Sequence, residues 1–130
     1  MNTTMIAKRN EEKKEFINNF YDVATYNSIN YWGNMVKNDD GTYTVSEVYF
    51  DDPEDNISKT FTHEDLFDVA YEYATYIIEE NYNYGNIANH FFKWAKNVVA
   101  LDLHEASFDM DADIADNLIQ RAMFGKQKYA

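Results

Sequence analysis

Three aspartates near the C-terminus have the spacing of ligands in a calcium-binding loop. Asp109, Asp111 and Asp113 stand at the first, third and fifth places of such a loop. The sixth place requires a glycine for a sharp turn and is occupied by Ile114. The twelfth requires a bidentate carboxylate and is occupied by Gln120. Because an aspartate before an apolar helical stretch also caps a helix, we interpret Asp111 as an N-cap and predict no metal site.

The histidines and the short motifs of the chain do not indicate catalysis. His63, His90 and His104 are not spaced as two ligands on one helical face, and the chain contains no cysteine. His104 and Glu105 are a candidate acid–base pair, but neighbours of this kind are common in acidic proteins. The glycine-rich and serine motifs of nucleotide cradles and acyl transfer are absent. We therefore predict a binding protein with no catalytic residues and no cofactor, rather than an enzyme.

Tyrosine is the residue type best suited to form a binding surface in this chain. Its ring is apolar, its tip is polar, and the ring can stack on a nucleobase. Ten of the eleven tyrosines fall into two groups, one before the middle of the chain, which also contains Trp32, and one after it: Tyr21, Tyr26, Tyr31, Tyr43, Tyr49, and then Tyr71, Tyr73, Tyr76, Tyr82, Tyr84. This surplus predicts either a homo-oligomer interface at the edge of the core or a stacking surface for a ligand.

Length and charge limit the class of protein and of partner. The 130 residues suit a single domain spanning 1–130, and a hydrophobic content of 45% is enough to form a core. With a net charge of −12, direct binding to nucleic acid is not expected, because such binding uses Lys and Arg to displace phosphate counterions. An acidic chain can instead attract a basic partner. The polar N-terminus and the lack of a run of about 20 apolar residues predict neither a secretory signal nor a membrane span.

Hydrophobic periodicity predicts an α+β fold, with about four helices packed on a small antiparallel sheet. The helical segments are residues 8–26, 62–85, 86–101 and 111–125. Between the first two, residues 29–37 and 42–50 have the composition of strands, and the NDDG turn at 38–41 joins them into a hairpin over 29–50. Residues 56–61 are compatible with a short third strand.

Local capping residues mark the ends of two predicted helices. Thr62 and Asp65 have the spacing of a short capping box at the start of the second helix, and Gly85 is suited to end it. In the last helix, Asp111 is the predicted cap and Gly125 the predicted stop. Both helices are therefore expected to begin and end at these residues.

Two segments of the chain resemble a family of small bacteriophage proteins. The segments are TYNSINYW at 25–32 and DADIADNLIQRAMFG at 111–125. In that family an early helix leads into a G-G-x-N-Y-W-like stretch, and the chain closes with D-A-x-x-A-D-x-x-(I/L)-Q-x-A-x-F-G, a few residues and a tyrosine. This chain departs from the pattern at Asn27 and Ser28, where paired glycines are common, and in its tail GKQKYA. The resemblance implies a non-catalytic protein that acts against host defence in the cytoplasm of the infected bacterium.

The chain is also similar, in size and in combining a small sheet with helices, to the sponge proteins that defeat Thoeris immunity. This similarity implies a homo-oligomer that binds and sequesters a nucleotide-derived signal, either of the cyclic ADP-ribose type or a cyclic oligonucleotide. The alternative is an acidic inhibitor that binds a host nuclease or another nucleic-acid-binding defence protein. A catalytic or purely structural phage component is a third hypothesis.

For a small ligand, we expect the site to lie in the two segments that carry the resemblance. An exposed aromatic ring there would stack on a base, and Arg121 is the only arginine outside the N-terminal segment, so it would offer a fork to a phosphate. The alternative for Arg121 is a surface pair with Asn117 or with a nearby carboxylate. The predicted ligand-binding residues are Asn30, Tyr31, Trp32, Arg121 and Phe124.

Overall fold

The computed structural model describes residues 3–48, 56–85 and 87–129. These ranges contain five helices and one three-stranded antiparallel sheet, so the α+β prediction is confirmed. In chain order the elements are α1 (Thr3–Asn27), β1 (Gly33–Lys37), β2 (Tyr43–Glu47), β3 (Ser58–Phe61), α2 (His63–Tyr84), α3 (Asn89–Val99), α4 (Leu103–Asp109) and α5 (Ala112–Phe124).

The sheet has the strand order β1-β2-β3, and its central strand supplies most of its buried face. Side chains alternate between the two faces of a strand, and on β2 the buried set is Tyr43, Val45 and Glu47. Glu47 is paired with Gly33 of β1. A Cβ at Gly33 would lie 3.0 Å from the carbonyl oxygen of Ser46, so a glycine lets the two strands approach there.

The hairpin predicted over 29–50 is shorter at its start. Its first strand begins at Gly33 instead of residue 29, because the carbonyl oxygen of Ile29 accepts hydrogen bonds from the backbone N–H groups of Trp32 and Gly33 at 3.0 and 2.9 Å. These bonds hold residues 29–32 in a turn. The second strand covers Tyr43–Glu47 of the predicted 42–50, and residues 49 and 50 lie outside the described residues. The short third strand is confirmed at Ser58–Phe61.

The predicted caps of α2 and α5 are confirmed. Thr62 accepts a hydrogen bond from the Asp65 N–H, and the Asp65 side chain accepts one from the Thr62 N–H, which completes the capping box. Asp111 caps α5 by accepting a 2.9 Å hydrogen bond from the Ile114 N–H. Gly85 and Gly125 end the two helices with φ angles of 67° and 73°, in the left-handed region that favours glycine.

The number and extent of the other helices differ from the prediction. The described residues contain a fifth helix, α4, which has only seven residues and buries only Leu103 and Ala106, too few to give a periodic pattern. The helix predicted over 86–101 covers Asn89–Val99, because Leu101 adopts a φ of 60° and separates α3 from α4. The first helix begins at Thr3 instead of residue 8.

One cluster of buried side chains connects the sheet with all five helices. Its members include Phe16 and Phe20 of α1, Leu66 of α2, Trp94 of α3 and Leu118 of α5, each less than 2% exposed. Helix α2 packs against α1, α3 and α5. Helix α5 also packs against α1, the helix that precedes the sheet. Within the described part of the chain, each helix is too short or too polar to cross a membrane.

Candidate functional site

The two segments that carry the predicted ligand-binding residues pack directly on each other. The hydroxyl of Ser28 donates a 2.6 Å hydrogen bond to the carbonyl oxygen of Ala112 at the start of α5. One turn further along α5, Asp116 accepts hydrogen bonds from the Tyr31 hydroxyl at 2.5 Å and from the indole Nε1 of Trp32 at 2.7 Å. The turn after α1 is therefore fixed to α5 by three polar contacts over more than 80 positions of sequence.

Four of the five predicted ligand-binding residues, all except Arg121, lie in this region. The rings of Trp32 and Phe124 have centroids 5.5 Å apart, and Tyr31 shares the Asp116 carboxylate with Trp32. Asn30 is exposed on the same turn. Trp32 is only 2% exposed, so its ring is part of the packed interior and not an open stacking platform. Burial and the neighbouring Asp116 carboxylate raise the pKa of the Tyr31 hydroxyl to about 12, so it is a proton donor at neutral pH.

Arg121 lies on another side of α5, against α2. Its guanidinium carbon is 4.4 Å from the ring centroid of Tyr73 and 4.6 Å from that of Tyr76. Consecutive helix residues point about 100° apart, so Gln120 faces the Trp32 region while Arg121 faces α2. The surface pair with Asn117 is replaced by these ring contacts, since the Asn117 amide donates to the carbonyl oxygen of Asp113. The structure thus does not bring Arg121 together with Trp32.

A buried carboxylate on β2 holds the C-terminal tail. Glu47 is 3% exposed, and its Oε2 accepts a 2.6 Å hydrogen bond from Lys128 Nζ and another from the Tyr129 hydroxyl. Burial raises the pKa of Glu47, but the hydrogen bonds from Lys128 and Tyr129 outweigh burial and leave the pKa below its usual value. Its other oxygen, Oε1, is buried without a hydrogen-bond partner among the described residues. An ionised carboxylate at this position accepts hydrogen bonds and donates none.

The side chain of Gln120 binds the backbone of the same tail. Its Oε1 accepts hydrogen bonds from the N–H groups of Lys128 and Tyr129, both at 2.7 Å. Its Nε2 donates to the carbonyl oxygen of Tyr129 at 3.1 Å and to Asp116 Oδ1 at 2.9 Å. Gln120 is fully buried, so these hydrogen bonds satisfy the polar atoms of an amide that would otherwise destabilise the core.

The ring of Tyr129 lies parallel to the indole of Trp32, with centroids 5.5 Å apart and planes inclined by 9°. Its hydroxyl points at Glu47, so the ring is stacked on one face and hydrogen-bonded at its tip. We call the four residues that contact the tail, together with the carboxylate that positions two of them, the tail cradle: Trp32, Glu47, Gln120, Phe124 and Asp116. Chemically, the cradle combines an aromatic platform, a carboxylate and an amide, and it holds part of its own chain as an internal ligand.

A second candidate surface lies on the outer side of α2. This helix carries six carboxylates and no lysine or arginine. We call its exposed outer residues the α2 acidic face: Asp68, Tyr71, Glu72, Tyr76 and Glu79. They line a groove of about 710 Å³ together with Lys13, Phe67, Thr75 and Leu101. The three carboxylates of this face form no ion pair with any described residue.

The start of α5 carries the acidic groups that the sequence suggested as calcium ligands. Asp111 caps the helix, and Asp109 accepts a hydrogen bond from Asn97 and pairs with Lys93 at 3.3 Å. Ligand atoms of His90, Asp111 and Asp113 lie within 4.8 Å of one another. His90 and Asp113 are exposed, and acidic groups are common at a helix N-terminus for electrostatic reasons. The cap accounts for the position of Asp111 without a metal.

Comparison of the chain with family models, with curated proteins and with solved structures gives no match. The site residues that the sequence did not single out are Glu47, Gln120, Lys128 and Tyr129. One indication was present, because Glu47 follows Tyr43 and Val45 in the period-two register of the buried face. A charged residue in such a register needs a partner, but the sequence does not identify which residue supplies it.

Proposed function

We propose that this protein is a non-catalytic acidic inhibitor whose α2 acidic face docks on an arginine-bearing surface of another protein. The observation that carries the proposal is the alternation, along one helix face, of exposed tyrosines with carboxylates that form no ion pair within the described ranges. Tyr71 and Tyr76 are 40% and 43% exposed, which leaves their rings accessible beside Asp68, Glu72 and Glu79. Carboxylates bind guanidinium groups through two parallel hydrogen bonds, and tyrosine rings bind them by stacking.

Two cations of the chain itself contact aromatic rings beside the α2 acidic face, as an arginine of a partner would. Arg121 stacks on Tyr73 and Tyr76 at one edge of the face, and Lys13 Nζ lies 4.7 Å from the ring centroid of Phe67 at the other. Asp68, Tyr71 and Glu72 lie between Phe67 and Tyr73 along α2, and Glu79 follows Tyr76 by about one turn. Exposed ion pairs contribute about 0–1 kcal/mol each, so we expect the affinity to depend on arginines stacked on tyrosine, with the net charge of −12 accelerating encounter.

Proteins that bind nucleic acid present surfaces rich in arginine and lysine, and an acidic protein can compete for them. In the setting that the sequence resemblance predicts, the partner is a host nuclease or another nucleic-acid-binding defence protein, in the cytoplasm of an infected bacterium. The inhibitor would act by occupying the surface that binds DNA or RNA. No chemical step is required of the inhibitor itself.

The test compares two variants with the same change in net charge. In the first, Glu72→Lys and Glu79→Lys reverse the charge of the α2 acidic face. In the second, Glu11→Lys and Glu15→Lys reverse two exposed carboxylates of α1. The wild-type protein is used to capture partners from bacterial lysate, and DNA binding by each captured protein is then measured by gel shift with each variant added.

We expect the wild type and the α1 variant to inhibit DNA binding, and the α2 variant to lose at least about tenfold in affinity for the partner, which corresponds to about 1.4 kcal/mol. Equal inhibition by both variants would show that only net charge matters and would reject the α2 acidic face. Capture of a protein whose DNA binding is unaffected would contradict the inhibitor function.

A second candidate function is sequestration of a nucleotide-derived signal, of the cyclic ADP-ribose type or a cyclic oligonucleotide. It is favoured by a different observation, the parallel stack of Tyr129 on Trp32, because this arrangement holds a planar ring between an aromatic face and polar side chains. Calorimetry with a cyclic ADP-ribose isomer and with cyclic di- and trinucleotides tests it, with wild-type protein and with Tyr129→Ala, which frees the stacking face. If neither protein binds any of these compounds at micromolar concentration, this candidate is rejected.

A further inference from the structure

We propose that the tail cradle is a binding site for a guanine base, which Lys128 and Tyr129 occupy until a guanine nucleotide displaces them. The inference rests on the second candidate function and narrows its ligand to a guanine-containing nucleotide, in place of the adenine-containing cyclic ADP-ribose type. Three features of the cradle carry it: the geometry of the ring stack, the incomplete use of the Glu47 carboxylate and the lysines at its border.

The first feature is a planar platform of fixed orientation. The Trp32 indole is held by its hydrogen bond to Asp116 and by packing against Phe124, so its orientation is already fixed beneath the tail and does not have to be created by a ligand. The Tyr129 ring lies parallel to it. A nucleobase has a π-face that stacks on tryptophan in the same way. Replacement of the phenol ring by a base therefore retains the contact that now covers Trp32.

The second feature selects among the bases. The phenol offers one O–H to Glu47, and Lys128 shares the same oxygen, while Oε1 is buried with no hydrogen-bond partner among the described residues. Guanine presents two adjacent N–H donors, at N1 and at the 2-amino group, and these match the two oxygens of one carboxylate. Adenine presents an acceptor at N1, which would face an ionised carboxylate that has no proton to donate. The pairing with guanine satisfies Oε1, and the pairing with adenine does not.

The third feature is a local basic border in an acidic chain. Lys59 Nζ donates a 2.8 Å hydrogen bond to the carbonyl oxygen of Met123 at the end of α5, and Lys126 is exposed after Gly125. Displacement of the tail also separates the Lys128 ammonium from Glu47. These lysines favour the phosphate of a nucleotide. An arginine side chain offers a similar pair of N–H donors, but it lacks the ring that covers Trp32, and it would be repelled by the same lysines.

The test uses the full-length Tyr129→Ala protein, in which the internal ligand is weakened, with GMP, IMP, AMP and N-acetyl-arginine amide as probes. Calorimetry should give the order GMP, then IMP, then AMP, with GMP at least about tenfold tighter than AMP, because adenine leaves one oxygen of the charged carboxylate without a donor. IMP lacks the 2-amino group and should lie between them. Wild-type protein should bind GMP more weakly than Tyr129→Ala, since its own tail competes.

A protein-side comparison complements the series of probes. Adding Glu47→Gln to Tyr129→Ala should abolish the preference for GMP over AMP, whereas adding Glu11→Gln at an exposed position of α1 should preserve it. If Glu47→Gln impairs folding, the comparison of GMP, IMP and AMP binding to Tyr129→Ala still tests the guanine assignment, because it does not use that variant. Equal binding of AMP and GMP overturns the guanine assignment and leaves the sequestration function standing. Binding of N-acetyl-arginine amide in preference to GMP assigns the cradle to a basic peptide and overturns the guanine assignment. Binding of none of GMP, IMP and AMP also overturns the guanine site, whereas the sequestration function is rejected only if the cyclic compounds fail to bind as well.

Discussion

The indole Nε1 of Trp32 donates a 2.7 Å hydrogen bond to Oδ1 of Asp116, across 84 positions of sequence. The indole is buried and has a single polar atom, so this carboxylate determines how the ring is oriented. The second oxygen of Asp116 accepts the hydrogen bond from Tyr31. One carboxylate on α5 therefore positions both aromatic residues of the turn after α1, and with them the platform on which Tyr129 stacks.

Replacing Asp116 should destabilise the protein through Trp32. In Asp116→Ala the indole N–H loses its partner while it stays buried, which costs about 1–3 kcal/mol of unfolding free energy. Asp116→Asn keeps an acceptor oxygen and should lose less. Urea unfolding followed by circular dichroism measures both, with Asp113→Ala as an exposed control on the same helix. A loss in Asp116→Ala no larger than in Asp113→Ala would show that the hydrogen bond does not anchor the ring.

The residues predicted correctly from the sequence are those whose structural role is local. Thr62 and Asp65 bond to each other within one turn, and Gly125 ends α5 because its own backbone adopts a left-handed conformation. Such features depend on neighbours within about four positions, so the residue types and their spacing are sufficient. Helix α4 was not predicted, because its seven residues contain only two buried positions, and this is too short for a periodic hydrophobic pattern.

The tail cradle could not be predicted because its contacts join distant parts of the chain. Glu47 meets Lys128 and Tyr129 across 81 and 82 positions, and the buried register of Glu47 indicates that a partner is needed without identifying it. The contacts of Arg121 could not be predicted for the same reason. Helical geometry separates it from Gln120 by about 100°, but only the packing of α5 on α2 decides that Tyr73 and Tyr76 receive its guanidinium.

The cap of α5 should be independent of calcium. Asp111→Ala removes the acceptor for the Ile114 N–H and should lower the unfolding free energy by about 1 kcal/mol. The melting temperature of the wild type should not rise in millimolar calcium, because the loop lacks the glycine and the bidentate carboxylate of a calcium site. Differential scanning calorimetry with calcium or with a chelator measures this. A clear calcium-dependent rise that disappears in Asp111→Ala would assign a cation site to His90, Asp111 and Asp113.

The exposed aromatic residues lead us to expect a homo-oligomer, most simply a two-fold dimer. Tyr82 and Tyr84 at the end of α2 are 89% and 71% exposed, and Phe108 of α4 is 70% exposed. Aromatic residues are enriched at protein interfaces relative to the rest of the surface. Light scattering at micromolar concentration should give about twice the mass of one chain, and Tyr82→Ser with Tyr84→Ser should shift it toward one. A monomeric wild type would contradict this prediction.

The stability contributed by Glu47 should depend on pH in a defined direction. Its pKa in the folded protein is lowered from the ordinary value of 4.5, because Lys128 and Tyr129 donate hydrogen bonds to the carboxylate. A lowered folded-state pKa means that the ionised form is favoured by folding, so this contribution is complete above about pH 4.5 and is lost as the pH falls through the folded-state value. At pH 6, Glu47→Gln should cost about 1–3 kcal/mol, since charge-assisted hydrogen bonds become ordinary ones.

The measurement is the difference in unfolding free energy between wild type and Glu47→Gln from pH 6 to pH 3. We expect this difference to shrink toward acid pH, because protonation removes the charge of Glu47 in the wild type as the substitution does in the variant. Glu72→Gln, measured in parallel, corrects for the change in net charge. Tyr129→Phe removes one of the two donors and should reduce the pH dependence in part. If the difference is the same at pH 6 and at pH 3, the tail is not held by the charge of Glu47, and the ring stack on Trp32 and the backbone contacts of Gln120 must hold it.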